Sequence, residues 1–273
     1  MVGAIIGDII GSPYEFDATK EYNFEIFKLH SDYTDDSVMT IATAVAILGD
    51  GDYAKAYREG ARSDSARGYG GMFRKWIHSD TMGPYGSFGN GSAMRVSPVG
   101  WAYDSMQEVL EQAERSAAVT HNHPEGIKGA QATALAIYLA RKRHTKDQIR
   151  DAISGLFQYN LNRNCEEIRP SYEFDATCQG TVPEAIIAFL DSNGFEDAIR
   201  LSVSLGGDAD TMGAITGSIA HAFYREIPSD IGKKALCMLP KEYLTILRKF
   251  KDTFKEKEDE TPDVPKETVS DKT

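Results

Sequence analysis

Two short acidic runs have the residue types and spacing to do metal chemistry. Thr34, Asp35, Asp36 and Ser37 stand directly ahead of one long apolar segment, and Gly206, Gly207, Asp208, Ala209, Asp210 and Thr211 stand directly ahead of another. Each run alone reads as a helix start, because Thr and Asp are favoured caps and first-turn acids complement the helix dipole. Together they supply four carboxylates and two hydroxyls, the oxygen donors that hard divalent ions such as Mg²⁺ take while leaving positions open for water or substrate. Asp208 and Asp210 would diverge by about 200° on a continuous helix. They converge only if the segment is a turn entering the helix, and Gly206 and Gly207 permit that turn. The chemical reading is a two-metal carboxylate site.

The elements that must position these residues read as helices. Apolar residues recur at helical spacing from Thr34 to Thr245, as in Val38, Ile41, Ala42, Val45 and Leu48, in Val109, Leu110, Ala113 and Ala117, and in Leu135, Ile137, Tyr138 and Leu139. Later runs are Ile149 to Leu156, Ala185 to Leu190, Ala198 to Val203 and Ile215 to Phe223. No sustained strand-type alternation competes with them. The expected fold is all-α, a compact single-domain orthogonal helix bundle over residues 1–250. Alanine-rich stretches imply close packing with some helices buried all round. Glycine-rich connections at 68–71 and 83–91 interrupt the pattern, and ligand contacts are expected there.

Composition removes several function classes. The chain has 273 residues with 41 acidic and 30 basic side chains, a net charge of −11 and no long basic cluster, so broad nucleic-acid binding is not expected. Cys165, Cys178 and Cys237 are an odd number without CxxC spacing, which fits a reducing compartment better than a disulfide framework. Asp8 interrupts the apolar N-terminus, and no uncharged stretch reaches the roughly 20 residues needed to span a bilayer. A cytoplasmic protein with no membrane partner is expected. Residues 251–273 carry eight acids, five lysines and two prolines and are read as a charged, disordered tail. No feature of the sequence specifies an oligomeric state.

Five motifs occur together: GDIIGSPYE (Gly7 to Glu15), YTDDS (Tyr33 to Ser37), FGNGSAMRVSP (Phe88 to Pro98), THNHPEG (Thr120 to Gly126) and LGGDADTMGAITGSIAHAFY (Leu205 to Tyr224). In this order the set resembles the ADP-ribosylglycohydrolases, across roughly residues 3–225. The resemblance implies an all-helical fold with a binuclear Mg²⁺ or Mn²⁺ centre at the bottom of an ADP-ribose cleft. It implies Thr34, Asp35, Asp36, Asp208, Asp210 and Thr211 as metal ligands, and Glu15 near the distal ribose. It also implies that Ser87, Phe88, Gly89, Asn90 and Gly91 wrap the diphosphate, with Phe88 stacked on adenine, and that His121 lines the cleft.

The implied activity is hydrolysis of the glycosidic bond between ADP-ribose and a modified acceptor, a protein side chain or small molecule. Glu15 would act as acid or base, and Asp35 or Asp36 would share the attacking water. Two alternatives compete: a catalytically quiet, crystallin-like member that only binds ADP-ribose or serves a structural role, and a phosphoesterase using the same metals. Asp8 is read as structural, a cap or a partner to the ligands. His121 and His123 lack the third spaced ligand of a zinc site, and Cys165 and Cys178 lack a local base. A negative protein holding an anionic diphosphate must rely on the metals, backbone N–H groups, and Arg95 or another local cation.

Overall fold

Gly3, Gly7 and Gly11 recur every fourth residue along the first helix, α1 (Val2–Gly11), and this spacing sets the centre of the fold. A Cβ at Gly7 would collide with the carbonyl of Gly213, one at Gly3 with Gly217, and one at Gly11 with Ala209. Only backbone fits at this seam, so α1 lies directly against the helix that follows the second acidic run. The structure, a computed structural model, describes residues 1–254.

After α1 a short 3₁₀ turn (Ser12–Tyr14) and a long loop lead to α2 (Asp35–Leu48), which continues into α3 (Tyr53–Ser63) and α4 (Gly71–Ile77). The glycine-rich loop at 83–91 enters α5 (Gly91–Met94) and α6 (Ser97–Ala102), followed by α7 (Met106–Ala118) and α8 (Pro124–Arg141). The second half comprises α9 (Lys146–Phe157), α10 (Cys165–Ile168), α11 (Cys178–Asp191), α12 (Phe195–Val203), α13 (Ala209–Tyr224), α14 (Ser229–Leu236) and α15 (Lys241–Phe254). Among the described residues the sole β-type pairing is an isolated antiparallel bridge between Gly89 and Thr177. The fold is all-α, and each helical run read from periodicity lies on a helix.

Helix α13 is the hub. Its residues from Ala209 to Ala220 are all buried, because α1, α8, α11 and α12 pack around it. Helix α7 shows the opposite, one-sided pattern and buries Val109, Ala113, Ser116 and Ala117 along a single stripe. A main core runs through α1, α2, α11 and α13, and a smaller satellite joins α6, α7 and α8 through Val96, Val99, Val109, Ala113, Ala117, Ala130 and Ala134. Helix α15 continues to Phe254 and buries Tyr243, Leu247 and Phe250. The expected boundary at 250/251 thus falls inside a helix, and the rest of the expected tail lies outside the described residues.

Candidate active site and metal centre

The starts of α2 and α13 converge beside the end of α1. Thr34 caps α2, its hydroxyl accepting from the Asp36 N–H at 3.2 Å, and Asp35 and Asp36 occupy the first turn. Asp208 occupies the N-cap position of α13 without a side-chain capping bond, and Asp210 lies in the first turn. Gly206 adopts φ +74°, a left-handed conformation that glycine takes without strain. This turn brings Asp208 and Asp210 together, as their two-residue spacing required. Glu15 closes the third side, directly after the 3₁₀ turn, where Tyr14 donates to the Glu25 carbonyl at 2.7 Å and pins the chain.

Two carboxylate trios result. Asp8, Asp36 and Asp210 each place a carboxylate oxygen within 4.8 Å of the other two, and so do Glu15, Asp208 and Asp210. Asp210 is common to both. Burial, reinforced by repulsion from neighbouring carboxylates, pushes Glu15 up to about 7, Asp35 up to about 8, and Asp36 and Asp210 well above the ordinary carboxylate range. Burial also raises Asp208, although its hydrogen bond from Asn90 opposes the shift. Asp8 rises to about 6, because burial outweighs four donors: the backbone N–H and hydroxyl of Thr34 and of Ser37.

Divalent cations fit this donor set. The hydrogen-bond partners of the carboxylates are hydroxyls, a carboxamide and backbone N–H groups. Asp36 Oδ1 is fully buried with no hydrogen-bond partner, an orphan acceptor of the kind that needs a cation. All the donors are oxygen, which selects hard ions of the Mg²⁺ and Mn²⁺ class over thiolate-seeking metals.

Five of these carboxyls border a cleft of about 360 Å³, lined on its acidic side by Glu15, Asp35, Asp36, Asp208, Asp210 and Thr211, with Asp8 buried behind them. Its other wall carries Tyr85, Ser87, Gly89, Asn90, Gly91 and His121, together with Phe73, Phe174 and the glycines 68, 70 and 71. Both glycine-rich connections therefore border one cavity. Thr211 donates to Asp36 Oδ2 at 3.3 Å. Asp35 lines the cleft but belongs to neither trio. Thr34 is engaged otherwise: its hydroxyl donates to Asp8 Oδ1 at 2.7 Å while capping α2.

Phe88 stands outside the cleft lining. The backbone around it pairs with residues 176–178, Cys178 N–H donating to the Phe88 carbonyl at 2.9 Å and Asn90 N–H to the Ala176 carbonyl at 2.8 Å. Extended pairing alternates side-chain direction, so Ser87 and Gly89 face the cavity while Phe88 turns to the rim, 45% exposed, its ring 5.3 Å from that of His123. Arg95 also borders the cleft, from within its wall. It is 1% exposed, its guanidinium donating to the Ser116 carbonyl and the Thr120 hydroxyl and lying over the Tyr57 ring.

Sequence reasoning read Asp8 as structural, a cap or a partner to the ligands; it anchors the start of α2 and completes a trio. Its place in the GD motif was the available signal. Phe174 also went unremarked: it stacks on Phe16, ring centroids 6.3 Å apart, beside Glu15 at the cleft. Lys20 ties this region together by donating to the Tyr172 and Leu205 carbonyls.

The comparisons with known proteins agree with this geometry. The family profile described as ADP-ribosylglycohydrolase matches residues 1–259. The chain is 28% identical over 304 residues to the ADP-ribosylhydrolase ARH3 of Homo sapiens, covering 82% of this chain and 84% of that protein. It is 27% identical over 257 residues to the ADP-ribosylarginine hydrolase Tri1 of Pseudomonas putida, covering 82% and 69%. A solved structure titled ADP-ribosylglycohydrolase-related protein complex shares the fold with a TM-score of 0.69 at 22% identity, covering 90% of this chain and 96% of that one. With its profile match, its fold and two carboxylate trios beside one cleft, the chain belongs to the ADP-ribosylglycohydrolase family.

Proposed function

We propose that this enzyme hydrolyses the glycosidic bond between ADP-ribose and a modified acceptor, using two divalent cations of the Mg²⁺ or Mn²⁺ class. The observation that carries the reading is Asp210, one carboxylate shared by two trios at the wall of a single cleft. One cation would be held by Asp8, Asp36 and Asp210, and the other by Glu15, Asp208 and Asp210, with Thr211 beside them. When bound, such ions supply positive charge that orients ribose hydroxyls and acidifies a water.

The protein's own groups supply the rest. Glu15, half-buried at the cleft beside Asp208 and Asp210, is placed to protonate the departing atom or to take a proton from water. Asp35 and Asp36 orient that water. The buried carboxylates stabilise the oxocarbenium character that develops at the anomeric carbon. Gly89 and Gly91 allow a diphosphate to approach the backbone, and Ser87, Asn90 and His121 border the same space. An adenine extending past this loop meets the Phe88 and His123 rings at the rim. The two buried free cysteines and the exposed Cys237 suit a reducing, cytoplasmic setting. Among the described residues no helix is long and apolar enough to cross a membrane.

Incubation with arginine-, serine- and otherwise ADP-ribosylated acceptors, with Mg²⁺ or with chelator, tests the proposal. The expected product is free ADP-ribose, released only with metal. Tight ADP-ribose binding without turnover would indicate the quiet, crystallin-like alternative. Release of AMP or phosphate would indicate a phosphoesterase.

A further inference from the structure

His121 lies inside the cleft wall, and its ring has two distinct faces. Nδ1 is 2.7 Å from the hydroxyl of Thr120. Nε2 points the other way, toward the 87–91 loop: a Cβ built on Gly91 would sit 3.1 Å from Nε2, and one built on Gly89 3.7 Å from it. Glycine at 91 therefore leaves the nitrogen room to face whatever the loop holds.

A hydrogen-bond chain backs this ring. Arg95 donates to the Thr120 hydroxyl oxygen at 2.9 Å, and a guanidinium can only donate. The Thr120 oxygen thus already receives one hydrogen bond, and among the described residues the acceptor within reach of its own hydrogen is His121 Nδ1. All three side chains are buried: Arg95 at 1%, Thr120 at 0% and His121 at 6% exposure. Water does not compete for these bonds, and burial together with the Arg95 charge keeps the imidazole neutral.

We propose that Arg95 and Thr120 act as positioning residues that lock His121 in the tautomer with hydrogen on Nε2, so that a neutral ring donates to an anionic diphosphate oxygen held by the 87–91 loop. The anion-binding part rests on the ADP-ribose reading above; the tautomer does not. The arrangement lets a buried arginine act on an anion through two hydrogen bonds while its own charge stays on the Tyr57 ring and the Ser116 carbonyl.

The tautomer is readable by nitrogen NMR of ¹⁵N-histidine-labelled protein without any ligand. The expected wild-type spectrum shows His121 neutral, protonated at Nε2 and bare at Nδ1. Thr120→Val removes the hydroxyl at constant volume and should shift His121 to a mixture of tautomers and lower ADP-ribose affinity about tenfold. Thr120→Ser retains the hydroxyl and should restore both, which a purely structural role for residue 120 would not predict. A wild-type His121 protonated at Nδ1, or Thr120→Val with unchanged shifts and affinity, overturns the relay. A wild-type protein with the expected tautomer and no affinity for ADP-ribose instead overturns the proposed occupant and the anion-donating role with it.

Discussion

The Asn90 carboxamide donates to Asp208 Oδ2 at 2.8 Å and to the Thr181 hydroxyl at 3.1 Å, both inside the protein. One residue of the glycine-rich loop thereby holds a carboxylate of the proposed metal centre. Supporting hydrogen bonds of this kind orient a ligand oxygen and keep it ionised, and their loss typically weakens metal binding about 10- to 100-fold. Asn90→Ala should show that loss for Mn²⁺ in calorimetry while keeping a cooperative melt. Wild-type Mn²⁺ affinity in the variant would remove Asp208 from the centre.

Asp210 belongs to both trios, so its neutralisation affects both proposed cations at once. Asp210→Asn should lower turnover more than about 100-fold. The same change replaces a carboxyl whose ionisation is opposed first by burial and then by repulsion from Asp36 and Asp208, so the metal-free variant should melt at a higher temperature than the metal-free wild type. A variant with lower metal-free stability would argue against that repulsion.

The pH dependence of the metal-free protein follows from the same crowding. Glu15 and Asp35 titrate at about 7 and about 8 in the folded chain, whereas unfolded carboxyls lose their protons near 4. Folding takes up protons in that interval, so the contribution of the two acids to stability falls as pH rises toward 8. Buried His221, held down to about 3, and His121, held well below its ordinary range, act in the opposite sense below about 6.5, and the buried Cys165 and Cys178 thiols, both pushed up, add a loss only toward the ordinary thiol range of about 8.5, so melts between about pH 6.5 and 7.5 report on the carboxylates. The melting temperature in chelator should fall across this window, and the rise on adding Mn²⁺ should grow. A flat profile would mean that the cluster does not carry these protons.

Phe174 lines the cleft, and its stacking partner Phe16 directly follows Glu15 in the chain. Phe16 is 87% exposed, so the pair presents an aromatic face next to Glu15, where the acceptor of the proposed reaction would lie. Aromatic contacts are worth about 0.5–1.5 kcal/mol beyond area burial. Phe174→Ala should raise KM for ADP-ribosylated acceptors roughly three- to tenfold while leaving free ADP-ribose affinity unchanged. Equal loss for both ligands would place Phe174 on the ADP-ribose side instead.

The parts of this molecule that were legible in its sequence are those governed by local rules. Helical periodicity located α2, α7, α8, α9, α11, α12 and α13, because an apolar stripe every three to four residues reflects burial directly. The convergence of Asp208 with Asp210 was legible too, since two carboxylates two residues apart meet only in a turn, and the two glycines ahead of them permit one. What escaped depends on contacts distant in sequence. Asp8 completes a trio only because α1 meets α13 at bare backbone, and its GxxxGxxxG spacing looked like an ordinary apolar N-terminus. The direction of Phe88 is set by pairing with residues 176–178, and no local pattern near 88 encodes it. The partners of Arg95 likewise come from α7 and the turn after it.

The glycine seam between α1 and α13 has a consequence for how this centre can vary. A helix pair joined by side chains can change its separation by exchanging one rotamer or one methyl group for another. Here the facing surfaces at Gly7 and Gly213 are peptide groups, which have no alternative sizes. The distance from Asp8 to Asp210 is therefore a fixed gauge, insensitive to repacking elsewhere in the bundle. Substitutions in the outer helices, α7 among them, can change how firmly the protein folds while the backbone separation that carries Asp8 and Asp210 stays set.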